Sequence, residues 1–187
     1  QTTQPQASIT SNSTALDCSI TSTTLNGAVT GTPNPVSFQW SNNGIPFGSN
    51  ANLQVSTSGL YVLMVTDNLT SCTSSANISV TQNLNLPTLS VANPGVLTCN
   101  TPEQTLTGSS SIGGIQFAWA TIIGTDTTLL GNGATLLVST SGTYYLIGLN
   151  PANNCSNSIS VFVAANQSLP MADAGSPFTL DCAGETA

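Results

Sequence analysis

The reactive side chains of this 187-residue sequence are five cysteines and seven carboxylates, Asp17, Asp67, Glu103, Asp126, Asp173, Asp181 and Glu185, with no Lys, Arg or His among them. The missing types exclude more than the present ones offer. Without imidazole or amine there is no common general base for a hydroxyl nucleophile and no Schiff-base chemistry. Zinc in a structural site takes four ligands, and thiols without histidine or a closely spaced cysteine pair do not supply them. No DxDxDG run marks a calcium loop, so Asp17, Asp67 and Asp173 read as solvated loop or strand-end residues. No cofactor is expected, with calcium at a domain junction as the one cation the oxygen-rich chain would suit. Disulfides are the chemistry that fits the cysteines. The natural pairings are Cys18 with Cys72 and Cys99 with Cys155, each joining an early strand to the loop before a last strand. Closing such a loop is worth about 4 kcal/mol in the chain-entropy model.

The elements that position these residues are repeated. A shift of 81 to 83 residues aligns Pro5 with Pro87 and Pro170, Cys18 with Cys99 and Cys182, and Trp40 with Trp119. It also aligns "VSTSG" at 55–59 with its copy at 138–142, Tyr61 with Tyr144, and Cys72 with Cys155. Such self-similarity marks tandem modules. Residues 1–84 form one, 85–167 a second, and 168–187 the opening strands of a third or a strand given to another copy. Cys182 is then an inter-repeat or intermolecular candidate. The register also separates the carboxylates: Asp17 and Asp181 take equivalent places in different repeats, Asp67 matches Asn150, and Asp126 lies in an unmatched loop. A glycosidase pair within roughly 5–10 Å is not expected, and the chain reads as no enzyme.

Short alternating segments divided by Gly, Pro, Asn and Ser predict an all-β sandwich in each repeat. Strands are predicted near 6–10, 14–18, 22–30, 35–41, 51–56, 59–67 and 75–82, and again about 82 residues on. Period two puts Val36, Phe38 and Trp40 on one inward face, with Ile115, Phe117 and Trp119 as their copies. Tyr61, Leu63 and Val65, and Tyr144 with Leu146, also point inward. VSTSG reads as a strand end and turn whose glycine permits a positive φ. Leu60, Val62 and Met64, and Tyr145, Ile147 and Leu149, then face outward as an apolar row. They are candidates for packing against other copies of the chain in a filament or sheath, since a solvated face more often turns polar.

The formal charge of −7 comes with no cation. Nucleic acid and anionic membrane surfaces are therefore poor partners, and no apolar run reaches the length of a membrane span. Ser, Thr, Asn and Gln supply an uncharged hydrated surface. Sequons begin at Asn12, Asn68, Asn77, Asn154 and Asn166 and are candidate glycosylation sites. Periodic cysteines in an all-β chain point to an oxidising, extracellular compartment.

The pattern "LTC…TLTG…FAW…LLVSTSGTYYLIG…NNCSNSISVFV", with "ADAGSPFTLDC" after it, resembles the immunoglobulin-like and PKD-like tandem repeats of very large Bacteroidetes surface proteins. That group includes gliding-motility adhesins and other type IX secretion cargo. The resemblance implies tandem immunoglobulin-like β-sandwich domains at the cell surface, meeting end to end, with one disulfide per repeat and no catalytic residues. The second cysteine follows the tyrosine by eleven positions, against two in the eukaryotic immunoglobulin pattern, which favours a crosslink near the domain end. "WSNNG" and "WATIIG" stand where a PKD repeat has "WDFGDG". The function expected is a structural segment of a filament, stalk or adhesin. The alternative is a module that binds surface polysaccharide through Tyr145 or loop Asn and Asp side chains.

Overall fold

The structure, a computed structural model, describes residues 4–166 and Gly175. The expected third-repeat strands in 168–187, with Cys182, lie outside the described residues. Strands β1 (Gln6–Ser11), β2 (Ala15–Leu16), β3 (Thr23–Thr30), β4 (Val36–Asn42), β5 (Ile45–Gly48), β6 (Asn52–Val55), β7 (Gly59–Asp67) and β8 (Thr73–Gln82) build a first sandwich. One sheet has the order β1-β3-β6 and the other β2-β8-β7-β4-β5.

The second sandwich follows the same plan. Its strands are β9 (Leu89–Val91), β10 (Leu97–Thr98), β11 (Gln104–Ser110), β12 (Gln116–Ile123), β13 (Asp126–Asn132), β14 (Thr135–Val138), β15 (Gly142–Asn150), β16 (Cys155–Val163) and β17 (Ala165–Asn166). The sheets run β14-β11-β9 and β13-β12-β15-β16, with β10 pairing β17. Two-residue strands add parallel pairs in both repeats: Leu16 lies beside Gln82 at the edge of the larger sheet, and Thr98 beside Asn166 of β17. This is the immunoglobulin-like arrangement, twice.

Alternation fills each core from both sheets. Leu16, Leu25, Trp40, Val55, Tyr61, Leu63, Val65 and Val80 are buried in the first. Leu97, Leu106, Trp119, Val138, Tyr144, Leu146 and Val163 are their counterparts in the second. VSTSG does more than turn. The Tyr61 hydroxyl donates to the Thr57 carbonyl at 2.9 Å and Tyr144 to that of Thr140 at 2.9 Å, each also meeting the threonine hydroxyl. The repeated threonine thus anchors a buried tyrosine to the turn before its strand, and the glycine after it has positive φ in both copies, 158° and 156°.

Two strands depart from the sequence reading. β5 pairs back on β4 through Asn43 and Gly44, with φ of 48° and 84°, the geometry an Asn-Gly hairpin supplies. Its residues Ile45 and Phe47 are exposed, and Pro46 between them argues against a strand in the sequence. Asp126, expected in an unmatched loop, instead opens β13 opposite Ile123, across a two-residue turn whose Gly124 has φ 66°.

Candidate functional site

The two sandwiches meet at a covalent junction. Cys18 and Cys155 form a disulfide across 137 residues of sequence, with Cα atoms 5.0 Å apart, while Cys72 and Cys99 are free thiols. This corrects the expected pairings of Cys18 with Cys72 and Cys99 with Cys155. The reason is the length of β8. Leu16 pairs with Gln82 at one end of that strand, whereas Cys72 precedes Thr73 at the other. Ten strand residues span about 33 Å, far beyond the roughly 7 Å a disulfide bridges. In the second repeat Thr98 pairs with Asn166, one strand-length from Cys155 at the head of β16, and the same argument applies. Each repeat carries its two cysteines at opposite poles, so the bond forms where unlike poles of neighbouring repeats touch.

A polar clasp surrounds the bond. The backbone N–H of Cys18 donates to the Asn153 carbonyl at 3.1 Å. Asn153, 1% exposed, donates from Nδ2 to the Asn83 side chain at 3.1 Å and the Asn85 carbonyl at 2.9 Å, and its Oδ1 accepts from the Cys155 N–H. Asn157 reaches the Pro87 carbonyl at 3.0 Å. Asn83 N–H in turn donates to the Leu16 carbonyl. The linker 83–87 is therefore held on both sides, through Asn83, Asn85 and Pro87. Asparagine serves here because one amide both donates and accepts. Nothing in so Asn-rich a sequence separated Asn83 and Asn153 from their neighbours.

Asp17 and Asp67 are turn staples, not the solvated residues expected; Asp173, given the same reading, lies outside the described residues. Asp17 Oδ1 accepts from the Ser19 and Ile20 N–H groups and the Ser19 hydroxyl, and Oδ2 from Asn154 of the next repeat at 3.1 Å. The Ile20 backbone bond first, then the Ser19 one, lower its pKa to about 2. Asp67 is fully buried. It accepts from the Thr32 hydroxyl, the Asn34 amide and the Leu69 and Thr70 N–H groups. Those bonds, the Thr32 hydroxyl foremost, hold its carboxyl well below the usual range. The two carboxylates stand at opposite ends of β8, too far apart to act on one glycosidic bond.

In the first repeat the outward row is one strand wide, with Gln39 and Ser41 of β4 beside it; in the second, Ala118 and Ala120 of β12 stand beside Ile147 and Tyr145, and exposed Phe162 of β16 stands opposite Thr143. Leu60 and Met64 are exposed and Val62 half-buried, while Tyr145, Ile147 and Leu149 are all half-buried. Across from the first three stand Ser79, Asn77 and Ser75 on β8; across from the second three stand Ser160, Ser158 and Ser156 on β16. Asn12, Asn68, Asn77, Asn154 and Asn166 are all exposed. Asn154 is the one already engaged at the junction, and Asn77 sits directly opposite Val62.

No protein-family model matches the sequence, and no curated protein matches it. Among solved structures, the three N-terminal domains of the bacteriophage RB49 highly immunogenic outer capsid protein superpose with a TM-score of 0.47 at 16% identity, over 86% of this chain and 59% of that one. The mouse nectin-like molecule 4 ectodomain gives 0.39 at 9% identity, over 89% of this chain and 66% of that one. Fibronectin(III)-like modules of Clostridium thermocellum give 0.34 at 15% identity, over 84% and 95%. The chain spans less than two thirds of the first two. Its class is set by its own sheets: it is an all-β tandem of immunoglobulin-like sandwiches, here bonded to each other.

Proposed function

We propose that this chain is a stiff spacer segment of an extracellular stalk, filament or adhesin. The observation that carries this reading is the disulfide between repeats, with the linker clasped beneath it. A disulfide in an all-β chain belongs to an oxidising compartment. The resemblance to tandem repeats of large Bacteroidetes surface proteins agrees with that location. Closing so long a loop is worth about 5 kcal/mol in the chain-entropy model. Its mechanical effect is larger. Tension applied to the two ends runs from Cys18 directly into Cys155 and leaves everything between them unstretched.

Stretching single molecules by their ends tests this. The bridged segment has a sequence separation of 137, which is roughly 480 Å of extended chain at about 3.5 Å per residue. The oxidised protein should withhold that length, and Cys155→Ser should release it. Equal extension of both proteins would reject the reading. A sugar-binding role finds less support, because Trp40 and Trp119, the rings best suited to stack on a sugar, are fully buried.

A further inference from the structure

The junction joins unlike positions. One partner is the cysteine after β2, the other the cysteine at the head of β16, the last long strand of the next repeat. Among the described residues the thiols left over are one of each kind: Cys99 follows β10, the counterpart of β2, and Cys72 precedes β8, the counterpart of β16.

They also stand at opposite ends of the pair. Cys99 adjoins Thr98, which pairs with Asn166 where the chain leaves the second sandwich. Cys72 adjoins Thr73, whose carbonyl accepts from Gln4 where the chain enters the first.

The backbone presents each free thiol as it presents its bonded counterpart. Around Cys18, Asp17 N–H donates to the Ile20 carbonyl and Ile20 N–H to the Asp17 side chain; around Cys99, Thr98 N–H donates to the Thr101 carbonyl and Thr101 N–H to the Thr98 hydroxyl. Before Cys155, Asn154 has φ 53°; before Cys72, Ser71 has φ 61°. Cys99 is exposed and Cys72 half-buried.

We propose that Cys99 of one copy of this chain bonds Cys72 of a second copy, repeating between molecules the joint that Cys18 and Cys155 make within one. Such a contact is head-to-tail and does not close on itself, so it propagates into a linear fibre. Mutual repulsion is weak, because the few charges are screened beyond about 10 Å at ordinary salt.

Bond formation takes two thiols and a disulfide oxidant, here oxidised glutathione. A thiolate of one copy first displaces one reduced glutathione to form a mixed disulfide. The second thiol then attacks that bond and displaces the other, leaving the new S–S bond, with two protons and two electrons carried off on two reduced glutathiones. The polar clasp is thinner at this joint, since Thr70 and Ser71 stand where Asn153 and Asn154 do. The covalent bond itself must hold it. The joint is independent of the mechanical reading: stiff units could remain unjoined, and joined units could be slack.

The test uses the full chain with Cys182→Ser, so that this thiol cannot exchange, in glutathione redox buffer. It is read by non-reducing electrophoresis and by mass spectrometry of chymotryptic peptides. The expected result is a ladder of multimers containing Cys72–Cys99 peptides and abolished by reductant. Adding Cys72→Ser or Cys99→Ser should each eliminate the ladder, and an equal mixture of the two should stop at a dimer. Circular dichroism and an intact Cys18–Cys155 peptide establish that both variants fold. Either variant dimerising alone as well as the mixture does, or both thiols staying free in the parent, would overturn the proposal.

Discussion

The two sandwiches hold equivalent turns with different chemistry. In the first, the turn after β2 and the turn between β7 and β8 close on carboxylates, Asp17 and Asp67. In the second the same places hold Thr98 and Asn150, which accept from the Thr101 and Ala152 N–H groups. What the fold demands there is an oxygen acceptor, not a charge. Charge strengthens the bonds it receives and makes the first repeat sensitive to protons in a way the second is not.

The largest difference between the repeats should therefore appear in acid. With no Lys, Arg or His, only carboxylates titrate there, and protonation does not build up the side-chain positive charge that unfolds ordinary proteins. A carboxylate whose pKa is lower folded than unfolded binds fewer protons folded, so its contribution is full above about pH 4 and drains away as pH falls. For Asp17 the loss is complete only below about 2, and Asp67 moves in the same direction. Urea melts from pH 6 to pH 2 should show the first repeat weakening and the second holding. Asp67→Asn should flatten most of that slope. A parallel decline of both repeats would break the comparison.

Much of this was legible in the sequence. The period-two rows placed Trp40, Leu63 and Val65 in one core and Trp119 and Leu146 in the other, because a residue buried against a second sheet leaves alternation behind it. β5 was passed over because Pro46 stands in its middle, a residue that argues against a strand, and the Asn43-Gly44 signal went unused. The cysteine pairing was hidden for a different reason. It depends on which pole each thiol occupies, and that is set by the parallel pairing of β2, a strand of two residues, with the far end of β8. No local pattern encodes such a contact.

A smaller difference is expected at a glycine the repeats share. A Cβ on Gly27 would stand 2.6 Å from Leu63 Cδ2 and 2.8 Å from the Ala51 carbonyl oxygen, which belongs to the backbone. On Gly108 the three nearest atoms would all be in the Leu146 side chain. A side chain can shift rotamer where a strand carbonyl cannot. Gly27→Ala should therefore cost about 2–3 kcal/mol and Gly108→Ala about 1–2 kcal/mol, within the usual range for overpacking. Denaturant midpoints of the two variants measure it, and equal losses would mean that the carbonyl of Ala51 yields.

The finest comparison lies in the two indoles. Both rings are fully buried, but Trp40 Nε1 donates to the Asn50 carbonyl at 2.8 Å, while Trp119 Nε1 meets no acceptor among the described residues. Replacing either with Phe removes a similar volume, so the cavity terms nearly cancel between the variants. Trp40→Phe also loses a hydrogen bond worth about 1 kcal/mol, whereas Trp119→Phe removes a buried donor that was unsatisfied. The second should be the milder change by about 1–2 kcal/mol. The sequence has two tryptophans, so each variant keeps a single indole, located in the repeat that was not altered and excited apart from the tyrosines at long wavelength. Its emission follows that intact repeat, and circular dichroism of the same sample follows both. A Trp119→Phe loss as large as that of Trp40→Phe would show that the second repeat satisfies its indole by relaxing, and that the two cores are closer in kind than their hydrogen bonds suggest.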